Sequence, residues 1–108
     1  SIEKMNNDYS LSFFSAIDVG LVLRVAEPTD IVQDYSKLFD NLKNELGENY
    51  FLIAFDCIHR RYLAEQDKID NEVNNLFRLQ NVVGFHTYGE QFMGMHTNQT
   101  LTGIAFAL

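Results

Sequence analysis

Apolar and polar positions change period several times along the chain, and each change predicts an element. Leu11 to Ile17 are rich in aromatic and branched side chains and predict a strand. Asp18-Val19-Gly20 gives a turn, and Leu21 to Ala26 then alternate as the second strand of a hairpin. Pro28 keeps Glu27 out of helical conformation, and Thr29 or Asp30 can cap a helix that follows. Ile31, Tyr35, Leu38, Leu42 and Leu46 fall three or four apart, one face of a helix about four turns long. Gly47 suits its C-terminal cap. Tyr50 to Asp56 is an apolar run ending in an acid, the pattern of a strand covered on both faces. After Cys57-Ile58-His59-Arg60-Arg61 comes one more helical stretch. Its buried stripe is Ile69, Val73, Leu76 and Phe77, and its polar face carries Gln66, Asp70, Asn71 and Asn74. Val82 to Tyr88 reads as a strand closed by Gly89, Gln91 to Met95 as a loop, and Thr100 to Leu108 as a last strand.

The order β-β-α-β-α-β-β predicts an α+β domain with a mixed sheet of about five strands and two main helices. The helix-length connection makes 50–56 and 82–88 adjacent parallel strands joined right-handedly. The short loop before it sets 100–108 antiparallel beside 82–88. A chain of 108 residues holds one domain, 1–108. With 46% hydrophobic residues and a single proline, it is neither a disordered tail nor a Pro-rich linker. No apolar run reaches the ~20 residues of a membrane span.

Eight basic against fifteen acidic residues give a net charge of −7. Such a chain repels phosphate backbones and anionic lipid, so nucleic acid is not an expected partner. One cysteine, Cys57, excludes an internal disulfide and a multi-cysteine zinc site, and fits the reducing cytoplasm. The polar start and the apolar end, Ile104 to Leu108, read as a piece of something longer. Self-association through exposed strand edges is expected of such a piece.

Ligands of α/β sheets bind beyond the carboxyl ends of parallel strands. One such end is Asp56 to Arg60 and the other Thr87 to Glu90, with His96 to Thr100 starting from the same edge. Arg60, Glu90, Tyr88, Asn98 and Cys57 therefore become the candidate site.

Val83-Gly84-Phe85-His86-Thr87-Tyr88-Gly89-Glu90, with His96-Thr97-Asn98-Gln99-Thr100-Leu101-Thr102 behind it, resembles the C-terminal signature of the FIST family. Cys57-Ile58-His59-Arg60 is similar to that family's Cys-x-x-Arg after an apolar strand. So is Phe13 to Ala26, with Gly20 in the turn and Asp30 opening the helix. The resemblance implies a FIST C sensory domain of a microbial signal-transduction protein. It implies a small-molecule ligand such as an amino acid or other carboxylate, and an N-terminal half-domain beyond this chain. It also implies an attached output domain such as a histidine kinase, a cyclic-dinucleotide enzyme or a chemoreceptor. Some members resemble haem-bound nitric-oxide sensors. The segment between Glu90 and Asn98, Gln-Phe-Met-Gly-Met-His-Thr, departs from the pattern by being short and apolar, which would suit a less polar ligand.

Each candidate has a plainer role beside the functional one. Arg60 either grips an anionic group with a forked hydrogen-bond pair or ties strand ends through Asp56 or Glu90. Glu90 either binds an amino group or accepts from backbone amides of a hairpin. Tyr88 either donates to a ligand or is partly buried in the sheet. Cys57 is foremost a small buried residue, reactive only if its pKa is lowered. Asn98-Gln99-Thr100 matches a glycosylation sequon but reads rather as an asparagine bonding turn backbone. His96 near Met93 and Met95 offers axial ligands for a non-covalent haem, and no three-ligand metal set stands out. No phosphate loop, Gly-x-Ser-x-Gly elbow or His-Glu-x-x-His is present, so no enzyme is expected. Three readings remain: a sensory ligand-binding module, a haem-based gas sensor, and an interaction scaffold docking through strand edges or Phe92, Met93 and Met95.

Overall fold

The structure, a computed structural model, describes residues 2–25 and 27–108. The order is β1 (Ile2–Met5), β2 (Leu11–Phe13), α1 (Ile31–Leu46), β3 (Tyr50–Cys57), α2 (Ile58–Gln66), α3 (Asp70–Leu79), β4 (Val82–Thr87), β5 (Glu90–Phe92), β6 (Met95–Thr97) and β7 (Leu101–Ala107). The α+β class is as the sequence predicts. The strands divide into a three-stranded mixed sheet, β4–β3–β7, and two separate hairpins, β1–β2 and β5–β6.

Helix α1 follows its sequence signals closely. Asp30 accepts from the amides of Val32 and Gln33 at 2.9 and 3.1 Å and so caps it. Gly47 ends it at φ +89°, a conformation that costs glycine little. Tyr35 and Phe39 are its two fully buried side chains, flanked by Ile31, Val32, Leu42 and Leu46. Phe39, one turn beyond Tyr35, adds to the expected stripe.

Strand β3 is central. β4 lies parallel to it, from Leu52 opposite Val82 to Cys57 opposite Thr87. This is the predicted pair. Close approach there requires Gly84, since a Cβ on it would sit 1.8 Å from the carbonyl oxygen of Ala54. β7 is antiparallel, but it pairs with β3, from Tyr50 opposite Ala107 to Asp56 opposite Leu101, and not with β4 as expected. The segment expected as a loop is the reason. It folds into the β5–β6 hairpin, turning at Met93 and Gly94 with φ +48° and +78°, and the chain then enters on the far side of β3. A central β3 thereby gains partners for both rows of its backbone groups.

Three further expectations are corrected. The second helical stretch is two helices, broken between Asp67 and Ile69 with Lys68 at φ +60°. No glycine or proline marks that break in the sequence. Leu21–Val25 form no strand and are exposed; Ala26, the end of that predicted strand, lies outside the described residues. β2 pairs instead with β1, through a turn in which the amide of Asn6 donates to Ser10 O at 2.8 Å. Finally, among the described residues β3 is covered on one face only. Tyr50, Leu52 and Ala54 are buried under α1, α2 and α3, while Phe51, Ile53 and Phe55 on the other face are only half-buried. Among the described residues, no helix is long and apolar enough to cross a membrane.

Candidate functional site

The period-two register of β3 decides the chemistry at its carboxyl end. Asp56 shares the helix-covered face with Tyr50, Leu52 and Ala54 and is therefore buried, 4% exposed. A buried carboxylate needs a cation and donors. Arg60, in the first turn of α2, supplies the charge, with Nε 3.2 Å from Asp56 Oδ1. The N–H itself points elsewhere: Arg60 Nε donates to Tyr35 Oη at 2.9 Å, and Tyr35 Oη donates to Asp56 Oδ2 at 2.8 Å. The guanidinium also lies 4.4 Å above the centre of the Tyr35 ring. His86, directly across the parallel register from Asp56, brings Nδ1 to 3.7 Å from Oδ2.

The outcome is a relay joining α1, β3, α2 and β4, with one carboxylate oxygen unfilled. Asp56 Oδ1 is buried and has no hydrogen-bond partner among the described residues. Burial raises the Asp56 pKa, and the Tyr35 hydrogen bond, Arg60 and His86 only partly offset it. Burial, and after it the negative charge of Asp56, likewise push the Tyr35 phenol well up. These groups line a cleft of about 300 Å³ that also carries Arg61, Asn74 and Asp70. Arg61 is engaged at its rim with Glu65, at 2.8 Å.

Of the sequence-predicted site residues, only Arg60 lines this cleft. Its plainer role, tying strand ends through Asp56, is present in the structure. Cys57, Glu90, Tyr88 and Asn98 gather with Arg60 around the Thr97–Thr100 segment, but they do not share a cavity with it. Cys57 is fully buried as the N-cap residue of α2, its amide donating to Thr100 O at 3.0 Å. Glu90 is 2% exposed. Its carboxylate accepts from Thr87 Oγ1 and, at 2.8 Å, from Thr100 Oγ1, in place of the hairpin amides the sequence suggested. Asn98 Nδ2 donates to Tyr88 O at 3.2 Å, the turn-bracing role of an asparagine, and its Oδ1 accepts from Ser15 Oγ. The Tyr88 side chain is 86% exposed and not buried in the sheet.

The motif from Val83 to Glu90 thus has a physical reading at five of its eight positions. Gly84 admits Ala54, His86 faces Asp56, Thr87 holds Glu90, and Gly89 makes room for His96, whose ring a Cβ would meet at 2.0 Å. A family model, the FIST C domain, matches residues 1–93. The chain belongs to the FIST C domain family. No curated protein and no solved structure matches it. The match ends within the β5–β6 hairpin, so β6 and β7 lie beyond it. FIST C domains are associated with signal-transduction proteins, which gives this one a sensory role in general terms.

Sequence reasoning passed over Tyr35, Asp56 and His86 as site residues. The signals were an acid in the helix-facing register of an apolar strand, and a hydroxylated aromatic on the buried stripe of α1. The haem ligands do not fit a haem as placed. His96, Met93 and Met95 all sit exposed on the β5–β6 hairpin, without the covered apolar slot an axial ligand needs.

Proposed function

We propose that this FIST C domain is the ligand-binding part of a sensory protein and takes a small zwitterionic metabolite, an amino acid, in the cleft at the end of β3. The observation that carries the reading is the unpartnered Oδ1 of buried Asp56 beside Arg60. A buried carboxylate oxygen without a donor is costly, and an ammonium group would supply both donor and charge. Arg60 uses Nε on Tyr35 and Nη1 on Gln99 O at 3.4 Å, which leaves Nη2 for the ligand's carboxylate. The two groups of an α-amino acid are close neighbours, as are Oδ1 and the guanidinium. Because Tyr35, Asp56, Arg60 and His86 come from four different elements, a ligand that recruits Asp56 and Arg60 changes the ties among α1, β3, α2 and β4. That is a route by which occupancy reaches an attached output domain such as a histidine kinase, a cyclic-dinucleotide enzyme or a chemoreceptor. The reading puts the module in the cytoplasm, where the lone Cys57 stays a thiol.

The test is a thermal-shift screen of the free amino acids, followed by titration calorimetry of those that stabilise. Asp56→Asn should weaken binding of an amino acid roughly tenfold or more, and should affect the matching acid without its amino group much less. Absence of any stabilising amino acid, or an unchanged affinity in Asp56→Asn, would refute the proposal.

A further inference from the structure

The helices cover one face of the β4–β3–β7 sheet and leave the other bare. In register across that bare face run Val83, Ile53 and Ile104, then Phe85, Phe55 and Thr102, with Phe51 beside Phe106. Val83 is 50% exposed, Phe85 64%, Ile104 58% and Phe106 47%. Phe55 and Phe85 meet edge to face, with ring centres 5.3 Å apart. No ionisable side chain stands among these positions, although the chain carries a net charge of −7.

From this we infer that the bare sheet face is a dimer face, packing against the same face of a second copy as two sheets of a sandwich. The inference is independent of the ligand reading. Area supports it first. A fully covered aromatic side chain removes ~150–250 Å² from water, so the exposed fractions, with the half-buried β3 side chains, come to roughly 500 Å² per copy. Two such faces bury about 1,000 Å², which reaches the lower bound of a specific interface. Charge supports it second. Two chains of −7 repel, and a face without charges lets them meet with no like charges in contact. Aligned sheets stack at about 10 Å with their inner side chains interdigitating, and rows of Val, Ile and Phe suit that packing. A twofold axis through the centre of β3 would lay the Val83–Ile53–Ile104 row across its own copy.

Sedimentation equilibrium of the protein up to about 100 μM tests this, together with Phe85→Lys, Ile104→Lys and the control Met93→Lys. Met93 is exposed at the turn of the β5–β6 hairpin, which is a sheet separate from β4–β3–β7. The wild type should be dimeric, and its association should strengthen as salt is raised from about 0.05 to 0.5 M, because screening removes the repulsion between acidic copies. Each sheet-face variant should weaken association roughly tenfold or more while its circular dichroism and melting remain those of a folded domain. Met93→Lys should be as dimeric as the wild type. A wild type monomeric at both salt concentrations would overturn the inference. So would association that survives both sheet-face variants, or that Met93→Lys abolishes.

Discussion

Arg60→Ala is the substitution that probes the Asp56 relay most directly. It removes the charge next to a carboxylate whose side chain is 6% exposed, from a partner that is 16% exposed. Breaking a buried ion pair by deleting one member costs ~3–5 kcal/mol. The partial exposure of Arg60 and the surviving Tyr35 bond lower this case to the bottom of that range or just below it, at about 2–3 kcal/mol. For a domain of this size each kcal/mol moves the midpoint by ~4–8 °C, so Arg60→Ala should melt roughly 10–20 °C lower. The mechanism has two signatures that mere loss of packing over the Tyr35 ring would not share. First, Asp56→Asn in the Arg60→Ala background removes the stranded charge and should restore at least half of the loss. Second, the loss should shrink on acidification, as Asp56 takes up a proton and no longer needs its cation. Urea denaturation of the wild type, both single variants and the double variant, at pH 7 and near pH 4, measures all of this. Equal losses at both pH values without rescue by Asp56→Asn would refute the charge account. Arg61→Ala is the internal control, because an exposed i,i+4 pair such as the one it makes with Glu65 contributes little to stability.

Three more outcomes are expected. The Asp56 pKa is raised in the folded state, so the folded protein binds that proton more tightly than the unfolded chain; the group's contribution is complete below the ordinary carboxylate range and fades as pH rises through the native value. Wild-type stability relative to Asp56→Asn should therefore increase as pH falls from 7 toward 4, and a flat difference in denaturant midpoints would count against a buried, titrating Asp56. Gly84→Ala should cost on the order of 3 kcal/mol or prevent folding, since its Cβ would meet Ala54 O at 1.8 Å across the central strand pair; an unchanged urea midpoint would contradict the β3–β4 register. Asp30→Ala, which strips two amides of their cap, should lose ~1 kcal/mol in the same assay, whereas Asp30→Asn, which keeps a capping oxygen, should lose much less.

Local physics wrote α1 and the β3–β4 pair into the sequence. The α1 cap, stripe and terminal glycine are contiguous signals, and a helix-length crossover between two apolar runs leaves little choice but parallel strands. Arg60 was legible as a cation at a strand end, and the Thr97–Thr100 segment as its neighbour. Three things belonged to the tertiary structure. The place of β7 depended on where the β5–β6 hairpin carries the chain; Gly103 admits the backbone of Ile53 there, but only the fold shows which strand it meets. The assembly of Tyr35, Asp56 and His86 with Arg60 joins residues up to 51 positions apart, fixed by packing α1 over β3 and by the parallel register. Coverage of the sheet was the third. An apolar run states that both faces of β3 avoid water, but the helices of this chain are enough for one face, and only the fold reveals which side chains are left for another surface.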